Sequence, residues 1–440
     1  MTNRGTSLDP WYDSYAQRTA GLSASEVRAL FAVASRPEVV SLAGGMPYVS
    51  ALPRELITGS IDRVMSEDAA MALQYGSGQG LRPLREHIVD IMALEGIRAS
   101  AEDVVVTTGS QHALDLVTRL FIDPGDVVLA ESPSYVGAIG VFRSYQAETV
   151  HVATDEHGLI PEALRETIAS LTAAGKRMKF LYTIPNFHNP AGVTMSRERR
   201  IEVLDICRSN EILVLEDNPY GLLWFDEPAP QAIRSIDEDG VVYLGSFSKT
   251  LAPGFRVGWA LAPHAIRERL VLANESAVLA PNSFGQYVVN AYLDAADWKG
   301  QIDTFRGLYA ERRDAMLGAL GEFLPDLSWT EPNGGFFVWV TLPEHLDSKA
   351  MLPRAVTELV AYTPGTAFFA DGRGAANMRL SFCYPTPEQI RTGVKRLANV
   401  VNDELELIET FGPATRPGTA TPATTTTARR SVSAPPPNLS

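Results

Sequence analysis

The chain reads as an α/β protein, a mostly parallel seven-stranded sheet flanked by helices and joined to a smaller α+β domain. Two features of the sequence carry this reading. Between about residues 103 and 262, apolar runs of strand length alternate with amphipathic helical stretches, an order that builds a parallel sheet covered on both faces. After about residue 300 the order becomes long helix, strand, helix, strand, helix, the pattern of a separate α+β unit.

Taken in order, residues 1–50 read as an irregular arm plus one helix, in which Ser23 or Ser25 caps SEVRALFAVAS with Val27, Leu30, Phe31 and Ala34 on one face. AGGMP follows at 43–47, where Gly44 and Gly45 form either a simple turn or a close backbone approach. QYGSGQG at 74–80 is glycine-rich but lacks the last glycine of a dinucleotide loop and follows no clear strand. The expected strands are DVVVTT (103–108), DVVLAE (126–131), ETVHVA (148–153), MKFLYTI (178–184), EILVLED (211–217), VVYLGSF (241–247) and RVGWALA (256–262). Helices such as QHALDLVTRLF, PEALRETIASLTAAG and RERRIEVLDICRS lie between them. Beyond them come a helix over 301–323, strands at 335–342 and 377–382, a helix near 347–360 and a last helix from Pro387. The expected division is an arm and helix (1–50), a large domain (51–300), a small domain (301–410) and a disordered tail (411–440) whose Pro, Thr, Ala and Ser content cannot repay its ordering entropy.

Composition narrows the function. Of 440 residues, 45% are apolar and 20% charged, with no apolar run of bilayer length. A net charge of −14 argues against a nucleic-acid face. With only Cys207 and Cys383 the sequence argues against a disulfide framework, and the first residues lack the apolar core of a secretory signal, so a cytoplasmic site and a small-molecule ligand are expected.

In a parallel sheet, ligands bind beyond the carboxyl ends of the strands, and several strands here end in chemically useful residues. Gly109-Ser110-Gln111 opens a helix, as either a phosphate site or a plain cap. Tyr135 follows the second strand; Asn186 and Asn189 follow the fourth as donors within an Asn-Pro turn. Asp217 ends the fifth strand, where a buried charge needs a cation. Lys249 lies just past the sixth strand, where desolvation lowers its pKa and frees a neutral amine to attack a carbonyl. Ser246, Ser248 and, seven residues beyond the lysine, Arg256 offer two hydroxyls and a guanidinium to a phosphate. GSFSKT is not a P-loop, because Ser248 and Tyr243 stand where glycines are needed. Its Ser246–Lys249 spacing matches the SxxK of penicillin-binding enzymes, but neither SDN nor KTG occurs.

The stretches SLAGGMP, LQYGSGQGLRPLRE, VVVTTGSQHALDLV, ESPSYVGAI, PNFHNPAG, LEDNPY, SFSKTLAPGFRVGW and NMRLSF, in that order over about 40–385, resemble a fold-type I pyridoxal-phosphate aminotransferase of class I/II. Within that class the resemblance is to the α-aminoadipate and kynurenine branch. It implies pyridoxal 5′-phosphate as cofactor, Lys249 as the Schiff-base lysine, Asp217 on the pyridine nitrogen, and Asn189 and Tyr220 on the ring hydroxyl. It also implies Tyr135 on the ring face, and Ser110, Gln111, Ser246, Ser248 and Arg256 on the phosphate. Gly45, Asn189 and Arg379 would bind substrate, with Arg379 as the fork for its α-carboxylate. Lowering a lysine from about 10.4 to about 7 takes roughly 4 kcal/mol, within reach of burial beside a cation.

The same resemblance implies a homodimer in which Tyr75 reaches the neighbouring subunit's phosphate, although the residues alone read Tyr75 as core. His188, Ala191 and Phe336 depart from the glutamine, threonine and methionine common in relatives, which bears on substrate choice. The implied reaction moves an amino group from an L-amino acid to a 2-oxo acid, 2-oxoglutarate being the expected acceptor. Alternatives are another reaction on the same cofactor (β-lyase, cyclase or decarboxylase) and a cofactor-binding regulator. Arg18 is either solvated or a contact for a distal substrate carboxylate. No metal is expected.

Overall fold

The computed structural model describes residues 9–22 and 36–412. The helix expected over 25–35 and nearly all of the expected tail lie outside them. Fourteen strands are present among the described residues: β1 (Val40–Ser41), β2 (Val104–Thr107), β3 (Val127–Ser132), β4 (Glu148–Asp155), β5 (Gly158–Leu159), β6 (Met178–Thr183), β7 (Leu213–Asp217), β8 (Val241–Ser246), β9 (Gly258–Leu261), β10 (Ser328–Trp329), β11 (Phe337–Thr341), β12 (Val360–Ala361), β13 (Thr363–Pro364) and β14 (Asn377–Ser381).

The main sheet has the order β2-β9-β8-β7-β6-β3-β4-β5. All seven expected strands are in it. The eighth, β5, turns back antiparallel on the end of β4; at two residues it is too short to show a period in sequence. β4, β3, β6, β7 and β8 run parallel. β9 is antiparallel to both β8 and β2, so β2 points the same way as β8. Six strands therefore end on one edge, and β9 begins there.

The apolar strands are long enough in hydrophobic residues to face two cores because successive side chains alternate. Val128, Phe180, Leu215 and Val242 pack under helices Ser110–Phe121 and Val136–Ser144. Val127, Leu129, Leu181 and Val214 pack under Pro161–Ala173 and Arg197–Ser209. Toward the β2 edge, Val104, Val106, Tyr243 and Trp259 join a core that continues through helix Trp298–Phe323 into the C-terminal residues.

Those residues form a second sheet, β10-β11-β14-β13, backed by helix Pro387–Phe411. β1 pairs in parallel with β12, and Ser381 N donates to Leu42 O at 2.7 Å. The chain leaving β1 is thereby carried along the C-terminal layer and brought to the edge where the main strands end.

Gly258 is the tightest point at that edge. A Cβ there would lie 2.5 Å from Ser110 N and 2.6 Å from Gly109 C, both backbone atoms that cannot swing aside. Gly258→Ala is expected to cost about 1–3 kcal/mol of stability by overpacking, read as a lower urea midpoint at unchanged slope; an unchanged midpoint would contradict this packing.

Candidate active site

A cavity of about 420 Å³ lies at the common strand edge, between the main sheet and the C-terminal layer. The ends of β2, β3, β6, β7 and β8 each deliver one part of its wall. After β2, Gly109 turns the chain with φ +81° into helix Ser110–Phe121, whose first turn has no side-chain cap. A Cβ on Gly109 would stand 2.6 Å from Arg256 Nη2, so both the conformation and the space call for glycine. Arg256, itself left-handed at φ +55°, donates from Nη2 to Thr108 O at 3.0 Å. Ser110, Gln111, Ser248 and Arg256 all line the cavity. Free N–H groups, a helix dipole and a guanidinium at one spot make an anion cradle. Ser246 lies just behind, its Oγ accepting from Ser248 N at 3.0 Å and fixing the turn.

At the end of β7, Asp217 is buried. Its Oδ2 accepts from the Tyr182 hydroxyl at 2.8 Å, while Oδ1 has no partner. Burial pushes its carboxyl up to about 6, against the opposing pull of the Tyr182 hydrogen bond and Lys249. Lys249, past β8, donates from Nζ to Gly45 O at 2.7 Å. Burial lowers its amine to about 8, and the positive Arg379 and Arg256 push the same way against Cys383 and Asp217. That is one unit short of the value near 7 expected from the sequence.

Arg379 comes from β14, opposite Trp339 and Thr363. It is 3% exposed, and its hydrogen bonds go to neutral groups: Nη1 to Asn189 Oδ1 at 2.8 Å, Nη2 to Ala43 O at 2.6 Å. Its Nε has no partner. Its guanidinium lies over the ring of Phe337 at 4.0 Å. Burial lowers its pKa to about 10; a guanidinium so placed calls for a carboxylate. With its Oδ1 held by Arg379, Asn189 presents its amide N–H groups elsewhere in the cavity wall. Tyr135 and Tyr220 line the cavity, and burial raises both phenols above the usual tyrosine range.

The family model for aminotransferase class I and II matches residues 42–397. The chain belongs to this family. It is 43% identical over 400 residues to an aromatic-amino-acid aminotransferase from Thermococcus litoralis, covering 90% of this chain and 96% of that one. Among solved structures, a Pyrococcus horikoshii kynurenine aminotransferase in complex with PMP is similar at a TM-score of 0.85 and 41% identity, over 89% of this chain and 97% of that one. An α-aminoadipate aminotransferase from Thermus thermophilus, complexed with N-(5′-phosphopyridoxyl)-L-leucine, matches at 0.83 and 34%, over 90% and 99%.

The aminotransferase is a fold-type I enzyme that moves amino groups with pyridoxal 5′-phosphate, and its cavity fits that cofactor. The orphaned Asp217 Oδ1 suits a protonated ring nitrogen, and the uncapped helix beside Arg256 suits a phosphate. Of the thirteen residues expected from the sequence, all but Ser246 and Tyr75 line the cavity. Tyr75 is 78% exposed, which overturns its reading as a core residue. Asn186 faces away, donating to Asn218 Oδ1 at 3.0 Å and accepting from the buried Arg200.

Arg18 acts electrostatically on Tyr145 at the far end of helix Val136–Ser144, about 13 Å along the helix from cavity-lining Val136 at about 1.5 Å per residue. It is therefore not among the cavity's walls. His188, Ala191 and Phe336 are buried behind it. His188 Nε2 lies 3.0 Å from Glu131 Oε2, and the Phe336 ring packs 5.3 Å from Tyr220. Sequence reasoning missed Tyr182, Phe337, Met46 and Ile184. Phe337 lies two residues from Trp339, the register partner of Arg379, a pairing that only the structure reveals; Tyr182 reads in sequence as one more apolar strand residue.

The titration of Asp217 gives a test. Its value is raised from 3.8 to about 6, so folding favours the protonated acid, and that contribution is full below pH 3.8 and lost as pH rises through about 6. In the aminotransferase stripped of cofactor, Asp217→Asn is expected to gain stability over wild type across this range, by up to about 3 kcal/mol at neutral pH. Urea unfolding from pH 4 to 8 checks it; parallel pH profiles for the two proteins would contradict it.

Proposed function

We propose that the enzyme takes the amino group of an L-amino acid with a large apolar or aromatic side chain and passes it to a 2-oxo acid, 2-oxoglutarate being the acceptor to test first. The observation that carries this reading is Arg379, a buried guanidinium without a carboxylate partner, sharing one cavity with Lys249 and Asp217. A substrate α-carboxylate satisfies it as a two-pronged acceptor. The side-chain preference is supported by the apolar wall of Met46, Val136, Ile184 and Phe337, and by the aromatic and kynurenine aminotransferases among the relatives.

The cofactor, when bound, supplies an electron sink for charge left on the substrate Cα. Ser110, Gln111, Ser248 and Arg256 would hold its phosphate, with Ser246 bracing the turn behind them; Asp217 would keep its ring nitrogen protonated, Asn189 and Tyr220 would bond its ring hydroxyl, and Tyr135 would cover a face. Arg379, with Asn189 and the Gly45 backbone, orients the substrate so that its Cα proton faces Lys249. Lys249 Nζ, whose pKa near 8 leaves part of it neutral at physiological pH, would take that proton from Cα and deliver it to the cofactor's C4′ carbon.

The active unit in this reading is a cytoplasmic homodimer. Tyr75, exposed with Met71 and Leu73 beside it, reaches the phosphate end of the partner's site. The free, buried Cys207 and Cys383 suit a reducing compartment. Residues 51–300 and 301–410 act as a large and a small domain.

Lys249→Ala is expected to keep the cofactor, held by the anion cradle, and to lose amino transfer. Arg379→Lys is expected to raise the donor KM about tenfold or more, since one of two charge-assisted hydrogen bonds is lost. A panel of donors against 2-oxoglutarate should yield new amino acid and 2-oxo acid in equal amounts. Release of ammonia in place of the new amino acid would sink the transferase reading for that donor.

A further inference from the structure

A second cavity, of about 360 Å³, opens behind the catalytic loops, with Glu95, Leu222, Trp224, Trp298, Lys299 and Arg306 in its wall. None of its lining residues borders the cavity that holds Lys249. A narrow cleft of about 20 Å³ adjoins it, sharing Leu222, Trp298 and Ile302. Tyr292 and Gln301 line that cleft, and neither the Tyr292 hydroxyl nor the Gln301 amide nitrogen has a hydrogen-bond partner. Tyr292 is 2% exposed. A buried polar group left unpaired costs about 1–3 kcal/mol, so two in one cleft point to something that bonds them.

The larger cavity has an apolar body and, at its exposed side, the cation Lys299. Trp224, Trp298, Leu222 and Ile302 supply the body. The Arg306 guanidinium lies 3.8 Å over the Trp224 ring and donates from Nε to Leu222 O at 2.8 Å, with Asp303 as its ion-pair partner. Lys299 is exposed and has no ion pair among the described residues. Glu95 offers no free carboxylate to a cationic ligand, because its oxygens already accept from Asn218 Nδ2 at 2.8 Å and bond the Tyr243 hydroxyl. The cleft is large enough for one hydroxyl or carbonyl oxygen and far too small for a ring.

We propose that this cavity is a second ligand site, which binds a small aromatic monocarboxylic acid with its carboxylate at Lys299 and a hydroxyl or carbonyl at its other end in the Tyr292–Gln301 cleft. The site touches the reverse side of the catalytic loops. Leu222 lies two residues beyond Tyr220, Phe247 and Leu251 flank Lys249, and Glu95 reaches Asn218 next to Asp217. An occupant therefore contacts the supports of the three residues on which the chemistry depends, without entering their cavity.

The test uses the holoenzyme and two acids with neither an amino nor an oxo group, 3-(4-hydroxyphenyl)propionate and 3-phenylpropionate, titrated by calorimetry. The hydroxylated acid is expected to bind about tenfold tighter, as one hydrogen bond to buried partners predicts. Tyr292→Phe and Gln301→Leu should each shrink that preference, while Lys299→Glu should weaken both acids alike. Because Arg379 itself takes aromatic carboxylates in the catalytic cavity, the titrations are repeated in the Arg379→Lys holoenzyme, where binding of both acids at the second site and the preference for the hydroxylated one should persist. Lys299 is exposed, so its variant keeps the test open if either cleft substitution impairs folding. Equal binding of the two acids would mean that the cleft holds only water. Binding lost in Arg379→Lys but kept in Lys299→Glu would place the acids in the catalytic cavity, and no binding would end the proposal; each of these outcomes overturns it.

Discussion

Three ionisable groups held out of water at one sheet edge, each with fewer partners than its burial demands, are the constraint around which this enzyme is built. Asp217 keeps one oxygen unpartnered and a carboxyl raised to about 6. Lys249 has only a backbone carbonyl to bond and an amine lowered to about 8. Arg379 spends its hydrogen bonds on a carbonyl, an amide and a hydroxyl. In an ordinary core such groups would pair with one another. Here Asp217 ends β7, Lys249 follows β8 and Arg379 lies on β14 of the second sheet, and the fold holds them apart, so that ligands rather than neighbours complete them.

Keeping them apart is the work of the chain leaving β1. Its pairing with β12 and its bond to Ser381 tie it to the C-terminal layer. From there, Ala43 O meets Arg379 and Gly45 O meets Lys249, two bonds on carbonyls two residues apart. Cys383 Sγ lies 3.1 Å from Met46 O and 3.2 Å from Ser381 Oγ, anchoring the same turn from behind. A Cβ on Gly45 would come within 2.8 Å of the Phe337 ring. Gly45 is thus the close approach, whereas Gly44 has room for a side chain, and the strap they belong to bridges a residue following the main sheet and a residue of the C-terminal sheet.

The legible part of this architecture was the part carried by long periodic runs. The seven longer strands of the eight-stranded main sheet are runs bounded by turn residues, and the residues just past six of them fall on one edge because those six point the same way. β1, β5, β12 and β13 are two residues each, too short for any period, and their pairing is decided by contacts far away in the chain. The same holds for the partners of the site. That Tyr182 meets Asp217 follows from adjacent strand registers, and that His188 meets Glu131 follows from the loop after β6 folding back onto β3. The residues alone read Tyr75 as core, whereas its 78% exposure is a property of the surface around it.

Charge distribution links the site to the whole molecule. The chain carries a net charge of −14, yet the side chains that bring full charge to the catalytic cavity are Lys249, Arg256 and Arg379 against Asp217 alone. A positive hollow in a negative surface focuses the field inward. It repels polyanions, which meet the acidic exterior first, and draws in a small anion whose carboxylate fits between walls. The cofactor's phosphate answers Arg256 and the helix N-terminus, and the substrate's carboxylate answers Arg379. Lys249 is then left as the one cation without an anionic partner of its own, which is the condition that keeps its amine able to lose a proton.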